Sequence, residues 1–185
     1  HICCTSSNAV QVVEAVAREW NSDTVILIPD EYLAKNVASQ TDIRILTWQG
    51  ACEVHERFTA GEIEQLRAEH PDAMIITHPE CPPDVLKAAD FAGSTGAMAA
   101  FVRDRKPARA ILITECSMSD NVAVDNPETH FVRPCNLCPH MKRITLESIY
   151  DALRLNRYEV DVDPAVAEAA RASVQAMLDL PASSK

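Results

Sequence analysis

The stretch ILIPDEYLAKNVA (26–38) returns 85 residues later as ILITECSMSDNVA (111–123). Ile-Leu of an apolar strand, an acid just beyond it, Leu33 over Met118 and a shared Asn-Val-Ala all coincide. Further matches keep the same order. Cys52 falls on Cys138 at a shift of 86, and Ser6-Ser7-Asn8-Ala9 falls on Ser94-Thr95-Gly96-Ala97 at a shift of 88. Several matches in one order at nearly one shift point to duplicated units of about 86 residues, because self-similarity at a fixed period is the signature of a repeated architecture. Within the units, TVILIP, IRILTW, AMIITH, ADFAG and ARAILIT read as strands. VQVVEAVAREW, EIEQLRAEH, DVLKAAD, LESIYDALRLN and DPAVAEAARASVQAML read as helices. Alternating strands and helices imply right-handed crossovers and a parallel sheet covered on both faces. The expected fold class is therefore α/β, in repeated three-layer αβα units with short parallel sheets.

Bulk composition narrows the function. The chain has 185 residues, 47% apolar and 24% charged, a globular profile. Its net charge of −10 argues against a nucleic-acid groove, which needs clustered Lys and Arg. No apolar run approaches the roughly 18 to 20 residues that span a membrane. The chain opens on HICCTSSN, which has neither a charged start nor an apolar h-region. With only 4 glycines there is no GxGxxG and no P-loop. Seven scattered cysteines (3, 4, 52, 81, 116, 135 and 138) then read as reduced cytoplasmic thiols, some of them able to bind metal.

Three constellations carry chemistry. HPECPP (78–83) follows the strand AMIIT, where alternation would project His78 and Glu80 together from the carboxyl end. Ligands gather at that end in open α/β sheets. An imidazole beside a carboxylate can share proton transfer, although the prolines alone would account for a wet turn. CCTSSNAV (3–10) and FAGSTGAM (91–98) are hydroxyl-rich junctions at helix N-termini, suited to phosphate or carboxylate but equally to plain N-capping.

The third constellation is RPCNLCPHMK (133–142), with Cys135 and Cys138 in a CxxC. It admits a zinc site, with His55 three residues after Cys52 and His140 two after Cys138 as further donors. It also admits thiol–disulfide exchange between Cys135 and Cys138. The repeat favours another reading, one cysteine per unit converging on a common centre, as in an iron–sulfur cluster with one iron left open. By the same period a third cysteine belongs roughly 35 residues before His1, so the chain reads as the later part of something longer.

WQGACEVHERF, HPECPPDVLKAADFAGSTGAM and CPHMKRITLESIYDAL, with CTSSNAV and IPDEYLAKNV, closely resemble the quinolinate synthase family of bacterial de novo NAD synthesis. The resemblance covers essentially the whole chain. It implies three α/β units in pseudo-threefold arrangement: 1–49 the later part of the middle unit, 50–133 the third, and 134–185 a C-terminal segment with the cluster-ligand loop and helices. It implies a cytoplasmic enzyme that condenses iminoaspartate with dihydroxyacetone phosphate to quinolinate, functionally linked to L-aspartate oxidase or aspartate dehydrogenase. It further implies a [4Fe-4S] cluster held by Cys52, Cys138 and a third cysteine upstream, so that activity of this stretch alone is not expected. His78 and Glu80 match acid–base and substrate-contacting positions, and Ser6, Ser94 and Thr95 match substrate-binding hydroxyls. Cys3 and Cys4 lie outside the implied ligand set, and Cys135 stands as a redox switch or an incidental thiol.

Overall fold

The structure, a computed structural model, describes residues 1–181. The first strand pair is β1 (Thr24–Leu27) and β2 (Arg44–Thr47), parallel and in register from Thr24 with Arg44 to Leu27 with Thr47. The helices α1 (Ala9–Glu19) and α2 (Glu31–Ala38) accompany it. Their apolar faces (Val12, Val13, Val16; Ala34, Val37) close on Val25 and Leu27. Asp30 starts α2 by accepting the Leu33 N–H at 2.6 Å, satisfying one of the orphan amides of the first turn.

The second sheet runs β4–β3–β5–β6, all parallel: β3 (Ala73–Thr77), β4 (Phe91–Ala92), β5 (Arg109–Ile113) and β6 (His130–Val132). Strand alternation divides its side chains between two cores. Ile75, Ile111 and Ile113 pack under Ile63 of α3 (Ala60–Glu69) and Val85 of α4 (Pro83–Ala88). Ile76, Ala110 and Leu112 pack on the other face with Met98 and Val102 of α5 (Thr95–Arg105) and Val122 of α6 (Met118–Asp125). Helices α7 (Leu146–Leu155) and α8 (Pro164–Leu178) follow. No helix among the described residues is long and apolar enough to cross a membrane.

The architecture is thus mixed α/β with short parallel sheets, and the second sheet has the expected three layers. The first does not among the described residues. Ile26 and Ile28 stand 70% and 63% exposed, whereas their repeat partners Ile111 and Ile113 are fully buried. The helices α1 and α2 occupy the places of α5 and α6, but among the described residues no helix stands where α3 and α4 cover the second sheet. Two helices, α2 and α6, have no counterpart among the helices expected from the sequence, while α5 starts at the 91–98 junction expected to open a helix.

The repeat runs further than the sequence identities. In each unit an acid just beyond a strand forms a parallel bridge to a residue two before the paired cysteine, Asp30 to Gly50 and Glu115 to Asn136. After each cysteine comes a short 3-10 turn, His55–Arg57 and Met141–Arg143. After each turn a Thr caps a helix in a reciprocal capping box, Thr59 with Glu62 and Thr145 with Ser148.

Candidate active site

The loop after β3 carries the first site residues. His78 is buried and its carbonyl accepts the Cys81 N–H at 3.0 Å, while the Glu80 N–H points to His78 Nδ1 at 3.3 Å. His78 and Glu80 therefore meet across a turn rather than along an extended strand, with Nδ1 and Oε2 3.8 Å apart. That corrects the alternation argument, although the two groups do end up side by side. Asn36 of α2 fastens the turn from the neighbouring unit. Its amide donates to Pro79 O at 2.6 Å and to Cys81 O at 3.0 Å.

His55 completes the group. The 3-10 turn after Cys52 swings it inward, where its ring stacks on His78 with centroids 4.5 Å apart. Nδ1 lies 3.1 Å from Glu80 Oε2, and Nε2 lies 2.9 Å from Thr114 Oγ1. Ligand atoms of Cys52, His55 and Glu80 all lie within 4.8 Å of one another. Burial opposes a charge on His55, but the Cys52 thiol and the Glu80 carboxylate outweigh it and raise its pKa to about 9. The same contact holds the Cys52 thiol below its ordinary value against the effect of burial. Glu80 is likewise lowered by its bond to His55. Burial, then the neighbouring charge on His55, pushes His78 down to about 4, leaving one charged and one neutral imidazole in contact. Such a pair can hold and accept a proton at neutral pH.

Cys52 and Cys138 are free, half-buried thiols packed against the same apolar core. Their loops touch. The Asn136 amide donates to Val54 O at 3.4 Å, and His140 Nε2 lies 3.1 Å from Glu53 Oε1, close enough for an ion pair but without hydrogen-bond alignment. The CxxC is not a pair. Cys135 is bonded to Cys116 in a disulfide, which removes it both as a partner of Cys138 and from the set of reduced thiols. Cys81 is buried, and its thiol is pushed up to about 12. Cys3 and Cys4 lie away from this group, Cys4 against the first core.

Ser6, Ser94 and Thr95 share a separate feature, a cleft of about 1250 Å³ between the N-termini of α1 and α5. Asn36 and Pro79 also line it, so only the turn separates it from His78 and Glu80. Ser94 Oγ is engaged at the start of α5, accepting the Ala97 N–H at 3.3 Å. Asn36 and Thr114 carry no sequence signal as site residues, and His55, expected only as a donor in the zinc alternative, enters the site as the partner of Glu80 and His78.

The model of the Quinolinate synthetase A protein family matches residues 1–179. The chain belongs to that family. It is similar to the quinolinate synthase of Caulobacter vibrioides, 61% identical over 180 residues, covering 97% of this chain and 49% of the relative. Quinolinate synthase 1 of Mesorhizobium japonicum is 59% identical over 177 residues, covering 96% and 53%. The quinolinate synthase of Xylella fastidiosa is 56% identical over 177 residues, covering 96% and 51%. The chain spans about half the length of the curated relatives it matches.

Proposed function

We propose that this chain supplies the cluster-ligand loops and the acid–base pair of a quinolinate synthase, an enzyme of NAD biosynthesis. The reaction joins iminoaspartate to dihydroxyacetone phosphate and releases phosphate and two waters, which balances to quinolinate. One observation carries the reading: in a chain matched by the family model, Cys52, His55, His78 and Glu80 converge in one half-buried network beside a second free thiol, Cys138. Two soft thiols on touching loops over one apolar core are a fitting donor set for a [4Fe-4S] cluster. The third cysteine belongs to a further unit of the complete enzyme, and the unit boundaries 1–49, 50–133 and 134–185 belong to the same reading.

When bound, such a cluster supplies a Lewis-acidic iron for dehydration. The chain's own groups do the rest. The cleft between the N-termini of α1 and α5 suits the carboxylates and phosphate of the substrates, with Ser6, Ser94 and Thr95 as hydroxyls at its wall. Glu80, kept ionised by His55, accepts a proton from the condensing carbon or nitrogen. His78, neutral at pH 7, relays or orients, and Thr114 fixes the far nitrogen of His55.

The test is anaerobic expression of a protein of the relatives' full length that carries this segment. Iron and sulfide near four each per chain, with quinolinate formed from the two substrates, is the expected result. Loss of iron in Cys52→Ser and Cys138→Ser, and loss of product with iron retained in Glu80→Gln, follow from the assigned roles. A colourless protein with stoichiometric zinc prepared without oxygen sinks the reading.

A further inference from the structure

We propose that Asp30 and Glu115, one acid from each repeat, are positioning residues that hold the two ligand cysteines by their own backbone amides. The proposal rests on the reading of Cys52 and Cys138 as cluster ligands and deepens it. A shift of 85 lays Asp30 on Glu115, just as a shift of 86 lays Cys52 on Cys138. Both acids are buried, at 8% and 9% exposure, where a carboxylate is retained only if its oxygens are satisfied.

Each carboxylate divides its two oxygens between a local amide and a remote one. Locally, Asp30 Oδ1 caps α2 by accepting from Leu33 N at 2.6 Å, and Glu115 Oε2 accepts from Ser117 N, the residue just before α6, at 2.8 Å. The other oxygen reaches across some twenty residues of chain to the cysteine. Asp30 Oδ2 accepts from Cys52 N at 2.9 Å, and Glu115 Oε1 lies 3.5 Å from Cys138 N. A backbone bond beside each acid fixes the approach, Glu31 N to Gly50 O at 2.7 Å and Cys116 N to Asn136 O at 3.1 Å. Helix capping accounts for one oxygen of Asp30 and a local turn for one of Glu115, whose other oxygen also lies 3.8 Å from Lys142 Nζ. Neither explains why the second goes, in both repeats, to the amide of the residue that the repeat pairs as a metal ligand.

The consequence is both geometric and electrostatic. Anchoring the amide fixes the backbone from which the thiolate projects. It also withholds that N–H from the sulfur, which favours the oxidised cluster at both sites; the carboxylate charge adds to this at Asp30, while Lys142 Nζ, 3.8 Å from Glu115 Oε1, offsets it at Glu115. Partners that orient metal ligands in this way typically change metal retention about 10- to 100-fold when removed.

The neutral isosteres Asp30→Asn and Glu115→Gln isolate this role, because each keeps its shape and one acceptor for the local amide. In the cluster-loaded protein of full length, each variant should release iron to a ferrous chelator about 10-fold or more faster. Each should also show a raised reduction potential. Asp30→Glu should recover part of both, and Glu31→Gln, which touches neither cysteine, should change neither. In the metal-free 185-residue chain, amide exchange at Cys52 and Cys138 should quicken while Ile75 and Ile111 keep their protection. Iron release and potential at wild-type values in both variants overturn the proposal. So does unchanged exchange at the two cysteines, which decides the matter if a variant takes up no cluster. A parent protein without iron sinks the functional reading alone, since amide exchange still tests the anchoring.

Discussion

His55 is held between a thiol and a carboxylate, and His78 lies against its ring with neither. In the metal-free chain, ring-nitrogen NMR should find His55 charged up to about pH 9 and His78 neutral down to about pH 4. The effect on stability has a sign. The raised pKa of His55 stabilises most below its ordinary 6.5 and fades toward 9, but Cys52 is shifted down by the same contact, so the pair exchanges a proton internally and the two slopes oppose. Glu80, lowered from 4.5, contributes stability that is complete above that value and is lost only below it, and His78, lowered, contributes stability that is complete at and above about 6.5 and is lost as pH falls toward 4. Denaturant titrations should therefore show unfolding free energy dropping across that acid window, with a shallower drop in His78→Gln; equal slopes would contradict the assignment. The cysteines provide a second check. Peptide mapping of the unreduced, alkylated chain should find Cys135 linked to Cys116 and Cys138 carrying the alkyl group. A Cys135–Cys138 link would restore the CxxC as a functional pair.

The elements show what the duplication conserves and what it leaves open. Ile26 and Ile111 occupy equivalent strand positions, yet the first is exposed and the second is sealed beneath a layer of helices. Ile111→Ala should cost about 2–5 kcal/mol in this chain. Ile26→Ala should stay within about 0.5 kcal/mol, as surface changes do. Similar losses in thermal or urea unfolding would mean that the first sheet is covered after all. Gly50 tests the approach of the Cys52 loop. A Cβ there would sit 2.7 Å from Pro29 O, a backbone atom that cannot swing aside. Gly50→Ala should thus destabilise by about 1–3 kcal/mol, in the manner of overpacking. It should also quicken exchange of the Glu31 amide, which bonds Gly50 O.

Across the whole molecule, Asn36 binds the two sheets' units together at the site. Removing its amide leaves the half-buried carbonyl of Pro79 and the buried carbonyl of Cys81 short of a donor. Asn36→Ala should cost about 1–3 kcal/mol and loosen the turn that carries His78 and Glu80. Quicker amide exchange at Cys81, whose N–H closes that turn, is the measurement; an unchanged rate would show that the turn holds itself.

Strand and helix alternation, the 86-residue period and the nearness of His78 to Glu80 were legible in residue types and spacings, because periodicity is a local property, although the turn that joins those two residues was not. The family followed from motifs long enough to be specific. Three things lay beyond the sequence: His55 inside the site, the pairing of Cys135 with Cys116, and the exposure of Ile26. Each depends on which segments distant in the chain come to lie side by side. A spacing of three can show that His55 follows Cys52, but only the packed turn after β3 decides that its ring meets Glu80, because contacts between remote segments are set by how the sheets and helices close on one another.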